Sequence, residues 1–286
     1  MDVSFSNYVE ILMVKAGFPL AFCAIFLYNE AKWYEGGICS VGELIAVLSG
    51  KGGTGKTSVC AGIATALAAS GKRILCIDCD IGLRNLDISL AMSDSGALSF
   101  LDVCSGGYPL SSAAQHPTYP SLHFLTAPVN RAPESIDLES FGQMLTEARA
   151  DYDYIFLDAP AGIDAGFRLA ANFADRCILV TGPNPAAIRD AARAGEMLEL
   201  MGKQNTRLIV NRIRKKMLST MSLTVYDVMD NTGLPLLGII PEDLNVTLAT
   251  AFSQPLLKFR PRGPAAKACR RIANRIQGLP VPIKTR

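Results

Sequence analysis

Seven short apolar runs recur along the chain, at residues 44–49, 73–78, 122–126, 154–158, 176–181, 207–211 and 236–240, and none alternates polar with apolar side chains. Amphipathic or alanine-rich helical stretches lie between or after them, at residues 56–70, 138–150, 186–201, 224–231 and 265–277. A strand that is apolar on both sides must be covered on both sides. The pattern therefore predicts an α/β fold, a mainly parallel sheet with helices on both faces. Residues 105–121 fit neither period and are expected as a surface excursion between a helix and a strand.

The chain has 286 residues, 49% hydrophobic and 19% charged, enough apolar material for a sizeable core and inconsistent with a disordered or collagen-like chain. Residues 41–286 are read as a single domain. Residues 1–40 are read as an apolar N-terminal extension, whose stretch 11–28 is interrupted by Lys15 and Pro19 and is preceded by Asp2 and Glu10. That pattern suits neither a spanning helix nor a secretory leader well, and translation starting near Val41 or an N-terminal anchor are the alternatives. The net charge of +2 means that affinity for nucleic acid or anionic lipid must come from a local patch. Eight scattered cysteines are too few for a disulfide scaffold and fit a reducing compartment. Cys76 and Cys79 have metal-ligand spacing, but on a strand they point to opposite faces and are expected not to share a metal.

The residues that carry chemistry begin directly after the first run. Gly50, Lys51, Gly52, Gly53, Thr54, Gly55, Lys56 and Thr57 match G-x-x-x-x-G-K-[ST] between a strand and a helix, with Ser58 following. Glycines let successive backbone N–H groups curl around phosphates, Lys56 reaches their outer oxygens, and the Thr57 hydroxyl is placed to ligate Mg²⁺. Asp158 ends an apolar strand, the usual form of a Mg²⁺-supporting carboxylate in P-loop enzymes, although an acid there also suits capping of the next helix. Asp80 lies just past the second run, on the ligand-binding edge of an open α/β sheet. Asn211 ends the sixth run, where a turn role competes with ligand contact. The guanine-reading N-K-x-D motif is absent, which favours ATP.

With its second lysine, Lys51, the loop resembles the deviant P-loop of the MinD/ParA family of dimeric ATPases. The resemblance spans roughly residues 43–283. It implies ATP and Mg²⁺ as ligands, a homodimer that closes on ATP, and a Lys51 that reaches the partner's nucleotide. The residue alone reads as an exposed cation at a phosphate site. The segment from Asp78 to Asp87 resembles the MinD form of switch I, which implies that Asp80 lies near the attacking water. It also implies that Arg84 and Asn85 lie by the dimer interface, where partners are sensed; from sequence alone these two are solvated polar residues before a helix. Residues 159–164 resemble switch II. The same family likeness implies that Asn211 hydrogen-bonds the adenine edge and that the loop around Pro241 flanks the base. Lys51, Lys56 and Asp80 form the implied catalytic set.

The implied activity is that of a MinD-like spatial switch in division-site placement, hydrolysing ATP to ADP and phosphate. Its implied partners are regulators of the MinC and MinE or DivIVA kind, and its implied place is the cytoplasm, peripherally attached to an anionic membrane. MinD proteins end in a short amphipathic helix that forms on such a membrane, whereas this chain stops at Arg286, before that helix would begin. From Asn245 to Arg286 there are no acids and nine basic residues, a patch suited to anionic lipid or to DNA. In helix 265–277, the stripe Ala265, Cys269, Ile272 and Ile276 is expected to pack on the sheet. A ParA-like DNA-partition ATPase is the alternative function. A biosynthetic synthetase on the same fold ranks behind it.

Overall fold

The computed structural model describes residues 41–81, 83–128, 135–214 and 224–283. The N-terminal extension lies outside them, as do Lys284 and Arg286. The described strands are β1 (Glu43–Leu48), β2 (Ile74–Asp78), β3 (Ala114–Gln115), β4 (Leu122–Leu125), β5 (Tyr154–Asp158), β6 (Arg176–Thr181), β7 (Thr206–Ile213) and β8 (Leu236–Pro241). They join one sheet in the order β3-β4-β2-β5-β1-β6-β7-β8. Every pairing is parallel except the two-residue β3 against β4. The expected sheet is thus present, and all seven expected strands form with ends shifted by no more than two residues.

Helices α1 (Lys56–Ala69), α2 (Leu86–Leu90), α3 (Phe100–Cys104), α4 (Leu138–Asp151), α5 (Ala165–Phe173), α6 (Pro185–Leu200) and α7 (Val225–Thr232) lie between the strands, and α8 (Leu244–Ala251), α9 (Leu256–Phe259) and α10 (Pro264–Ile276) follow β8. Three of the five anticipated ones start at a side-chain cap, and α10 starts on Pro264 in its first turn. Asp137 accepts from the N–H groups of Glu139 and Ser140 at the head of α4, Asn184 caps α6 ahead of Pro185, and Thr224 forms a capping box with Asp227 on α7. The irregular stretch between α3 and β4 is more ordered than its composition indicates. It holds a 3₁₀ turn and β3, and it buries Leu110 and His116.

Alternate residues of β1 feed two cores, one on each face of the sheet. Leu44, Ala46 and Leu48 join Phe141 of α4 and Phe167 of α5 on one side. Ile45 and Val47 meet Ile63 and Leu67 of α1 and Ile272 of α10 on the other. Cys76 belongs to the second core and Cys79 to the first, so the two thiols face apart as the strand period requires. The stripe Ala265, Cys269, Ile272 and Ile276 is fully buried against α1 and β8. The basic residues of α10 do not all avoid that stripe. Arg275 is buried, donating from Nε to the Leu237 carbonyl at 2.7 Å and from an Nη to the Val281 carbonyl at 3.1 Å.

Strand order doubles back around β1: the chain leaves it toward β2 on one side and continues through β6, β7 and β8 on the other. Open parallel sheets place their ligand crevice beyond the carboxyl ends of the strands at such a reversal. Leu48, Asp78, Asp158, Asn211 and Pro241 all lie at or next to those ends.

Candidate functional site

The loop after β1 turns on glycines that no other residue replaces at equal strain. Gly53 and Gly55 have φ of +79° and +84°, the left-handed region that disfavours side chains. A Cβ at Gly53 would meet nothing within 4 Å, so the loop opens onto empty space, whereas a Cβ at Gly55 would lie 2.4 Å from Asn211 Nδ2. Gly50 is constrained differently, with the Asp190 carbonyl of α6 only 2.1 Å from where a Cβ would sit. Gly55 ends the loop as the residue before α1, so the first N–H groups of that helix point into the concavity.

The two lysines of the loop have opposite fates. Lys56 is buried, with 6% of its side chain exposed, and its Nζ donates to Asp158 Oδ1 at 2.7 Å and to Thr57 Oγ1 at 3.2 Å. Lys51 is exposed on the outer face. Lys51, Gly52, Gly53 and Thr54 line a cavity of about 260 Å³ that also touches Asn184, Arg212 and the Arg214–Glu242 ion pair.

Asp158 and Asp78 are register partners at the ends of β5 and β2. Burial pushes the Asp158 carboxyl above the usual carboxylate range, while Lys56 and the Thr57 hydroxyl pull it back. Its second oxygen, Oδ2, is buried without a hydrogen-bond partner among the described residues. Asp78 is fully buried, and its carboxyl is pushed up to about 7, chiefly by burial and then by Asp158. Asp78 accepts from the Asp80 N–H at 2.9 Å and the Leu86 N–H at 3.1 Å, which ties the whole segment to the sheet edge. Its position as the last residue of an apolar strand is the signal that sequence reasoning passed over. Asp80, two residues on, is half-buried; burial lifts its carboxyl, and Lys56 opposes the lift.

Beyond Asp80, the Arg84 backbone takes a left-handed φ of 45°, and its Nε donates to Thr126 Oγ1 at 2.8 Å. Asn85 is exposed at the head of α2 and caps nothing with its side chain. On the far side of the loop, a cavity of about 480 Å³ is walled by Gly55, Ser58, Asn211, Arg212, Pro241 and Leu244, among others. Asn211 is buried, and its Nδ2 donates to the Thr54 carbonyl at 2.8 Å. It does not close its strand as the sequence implied; β7 runs on to Ile213 through an irregularity at 211–212. Lys51, Lys56, Thr57, Ser58, Asp80, Asp158, Asn211 and Pro241 thus gather around one loop, whereas Arg84 lines a different cavity with Ser99, Asp102 and Thr126, and Asn85 stands exposed beside it in sequence.

A family model, the CobQ/CobB/MinD/ParA nucleotide binding domain, matches residues 45–256, a span that takes in the loop and both strand-end aspartates. The chain belongs to that family. As a member it is a P-loop ATPase. It is 36% identical to the septum site-determining protein MinD of Synechocystis over 242 residues, covering 84% of this chain and 91% of the relative. It is 34% identical to Bacillus subtilis MinD over 248 residues, covering 85% and 92%. The MinC:MinD cell division protein complex of Aquifex aeolicus superposes with a TM-score of 0.78 at 38% identity, covering 85% of this chain and 98% of that one. Pyrococcus horikoshii MinD, solved with Mg-ADP, superposes with a TM-score of 0.70 at 27% identity, covering 82% and 96%. The family is therefore the one that the loop, switch I and switch II resembled. No helix among the described residues is long and apolar enough to cross a membrane.

Proposed function

We propose that this chain is a MinD-type switch that binds ATP and Mg²⁺, closes as a homodimer around two nucleotides, and is reopened by hydrolysis to ADP and phosphate. The observation that carries the reading is the division of labour between the two lysines. Lys56 is held inward on Asp158, while Lys51 in the same loop is presented to solvent. An exposed cation on a phosphate loop is useful when an anion approaches from outside, and the phosphates of a second subunit's nucleotide supply one. The relatives named for septum placement extend this to a division-site role, and the MinC:MinD neighbour supports a MinC-type partner.

Mg²⁺ fits the residues present. Thr57 Oγ1 and the unpartnered Asp158 Oδ2 are oxygen donors beside Lys56, the first suited to direct ligation and the second to holding a metal-bound water. Bound there, the ion would neutralise charge on the outer phosphates. Loop N–H groups cradle the phosphates, Lys56 and the partner subunit's Lys51 balance charge developing on the transferred phosphoryl group, and Asp80 orients the attacking water. Asn211 and Pro241 border the cavity for the base. Arg84 and Asn85 sit where a partner would sense the state of the segment after β2.

The decisive measurement is light scattering of Lys51→Ala with ATP or ADP. The expected result is retained nucleotide affinity with loss of the ATP-dependent dimer, and a variant that still dimerises on ATP refutes the cross-subunit role. A ParA-like attachment to DNA is favoured by one observation, the exposed Lys258, Arg260, Arg262 and Lys267 in an acid-free stretch. ATP-dependent binding to duplex DNA that weakens steeply with salt, and none to anionic vesicles, would select it.

A further inference from the structure

We infer that Arg212 is a nucleotide-binding residue, its guanidinium engaging the part of the nucleotide shared by ATP and ADP, between the base and the outer phosphates. The inference rests on the ATPase reading above and adds a residue that the loop motif does not contain. Its first support is backbone conformation. Arg212 has φ of +57°, one of four non-glycine residues in the left-handed region among the described residues, and an arginine there costs stability that glycine or asparagine would largely avoid. Such an outlier calls for a reason in the side chain.

The register of the sheet explains how the strain arises. β7 pairs with β8 at Val210↔Ile239 and resumes at Ile213↔Pro241, with a shift between. Asn211 and Arg212 form the resulting bulge, a device that re-aims side chains beside active sites. Asn211 is turned inward beneath the loop, with its Nδ2 on the Thr54 carbonyl. Arg212 is turned outward over the loop, and its Nε lies 3.7 Å from the Cβ position of Gly55. Of two neighbouring residues, one thereby holds the loop and the other stands exposed beside it.

The second support is where the side chain lies and what it lacks. Arg212 is exposed, lines the 480 Å³ cavity on the base side and also the 260 Å³ cavity beside Lys51, and so straddles the boundary between them. It makes no hydrogen bond or ion pair with the described residues, whereas Arg214, two residues on, is paired with Glu242. A positive charge with no anionic partner among the described residues, held over the end of a phosphate-binding loop where α1 begins, is complementary to an anion in that loop, and a guanidinium offers a planar fork suited to phosphate oxygens.

The test is isothermal calorimetry of ATP and ADP on the full chain, comparing wild type with Arg212→Gly and Arg212→Lys, alongside thermal melts. Arg212→Gly relieves the backbone strain, so its melting midpoint should hold or rise, while affinity for ATP and ADP should fall by a similar factor of about tenfold or more. Arg212→Lys should recover part of that loss. Unchanged affinity in Arg212→Gly overturns the inference, and so does a loss confined to ATP, which would put the side chain on the γ-phosphate. A wild-type chain that binds neither nucleotide would refute the ATPase reading itself.

Discussion

Asp78 gives a perturbation whose sign depends on pH. Its carboxyl stands at about 7 in the folded protein against an ordinary value near 4, so the native state holds its proton more tightly than the unfolded chain. Stability contributed by this group is therefore complete below the unfolded value, is lost as pH rises from about 4 to about 7, and stays lost above, a penalty of about 4 kcal/mol. Asp78→Asn removes that penalty. It also removes one acceptor, leaving the N–H of Asp80 or of Leu86 unmatched at about 1–3 kcal/mol. The ligand-free variant should thus be about as stable as wild type, or less so, at pH 5, and more stable at pH 8. The difference between the two should move by about 3 kcal/mol over that interval. Relief of repulsion on Asp158, the register partner, acts in the same direction. Urea unfolding at the two pH values measures this directly. A stability difference that is the same at pH 5 and pH 8 refutes the argument that Asp78 is held protonated by burial.

Two further outcomes follow from the loop. Lys56→Ala should abolish tight nucleotide binding and, by leaving Asp158 buried without its counter-charge, lower stability by about 3 kcal/mol; calorimetry and urea titration read the two effects, and wild-type affinity in the variant would contradict the assignment of the loop. Gly50→Ala forces a Cβ against the Asp190 carbonyl, a backbone atom that cannot rotate away, and should cost about 2–3 kcal/mol with a matching loss of nucleotide affinity; a melt at the wild-type midpoint would show that α6 yields.

The regular elements were legible because each run's period had one solution. A five-residue apolar strand such as Tyr154–Asp158 is buried on both faces, and its end is set where the first charge appears. The longer helices showed themselves through amphipathic or alanine-rich spacing. Of the helices not anticipated, α2, α3 and α9 run four or five residues, too few to establish a period, whereas α5 and α8 run nine and eight and were missed although α7, of eight, was found. At the site, the glycines, Lys56, Thr57 and Asp158 were legible because phosphate and metal chemistry admits few alternatives at those spacings. Asp78 and Arg212 were not. The role of the first depends on which strand end lies opposite, and that of the second on a bulge between β7 and β8; neither is a property of neighbouring letters in the chain.

The bond from Asn211 to the Thr54 carbonyl fastens the phosphate loop to the bulge of β7 before any ligand arrives. A glycine-rich loop left alone samples many shapes, and a ligand that must select one of them binds more weakly for it. Here the selection is made during folding. The Thr54 end of the loop is thus set in advance, and a movement of the β7 bulge is transmitted to the phosphate site through that bond.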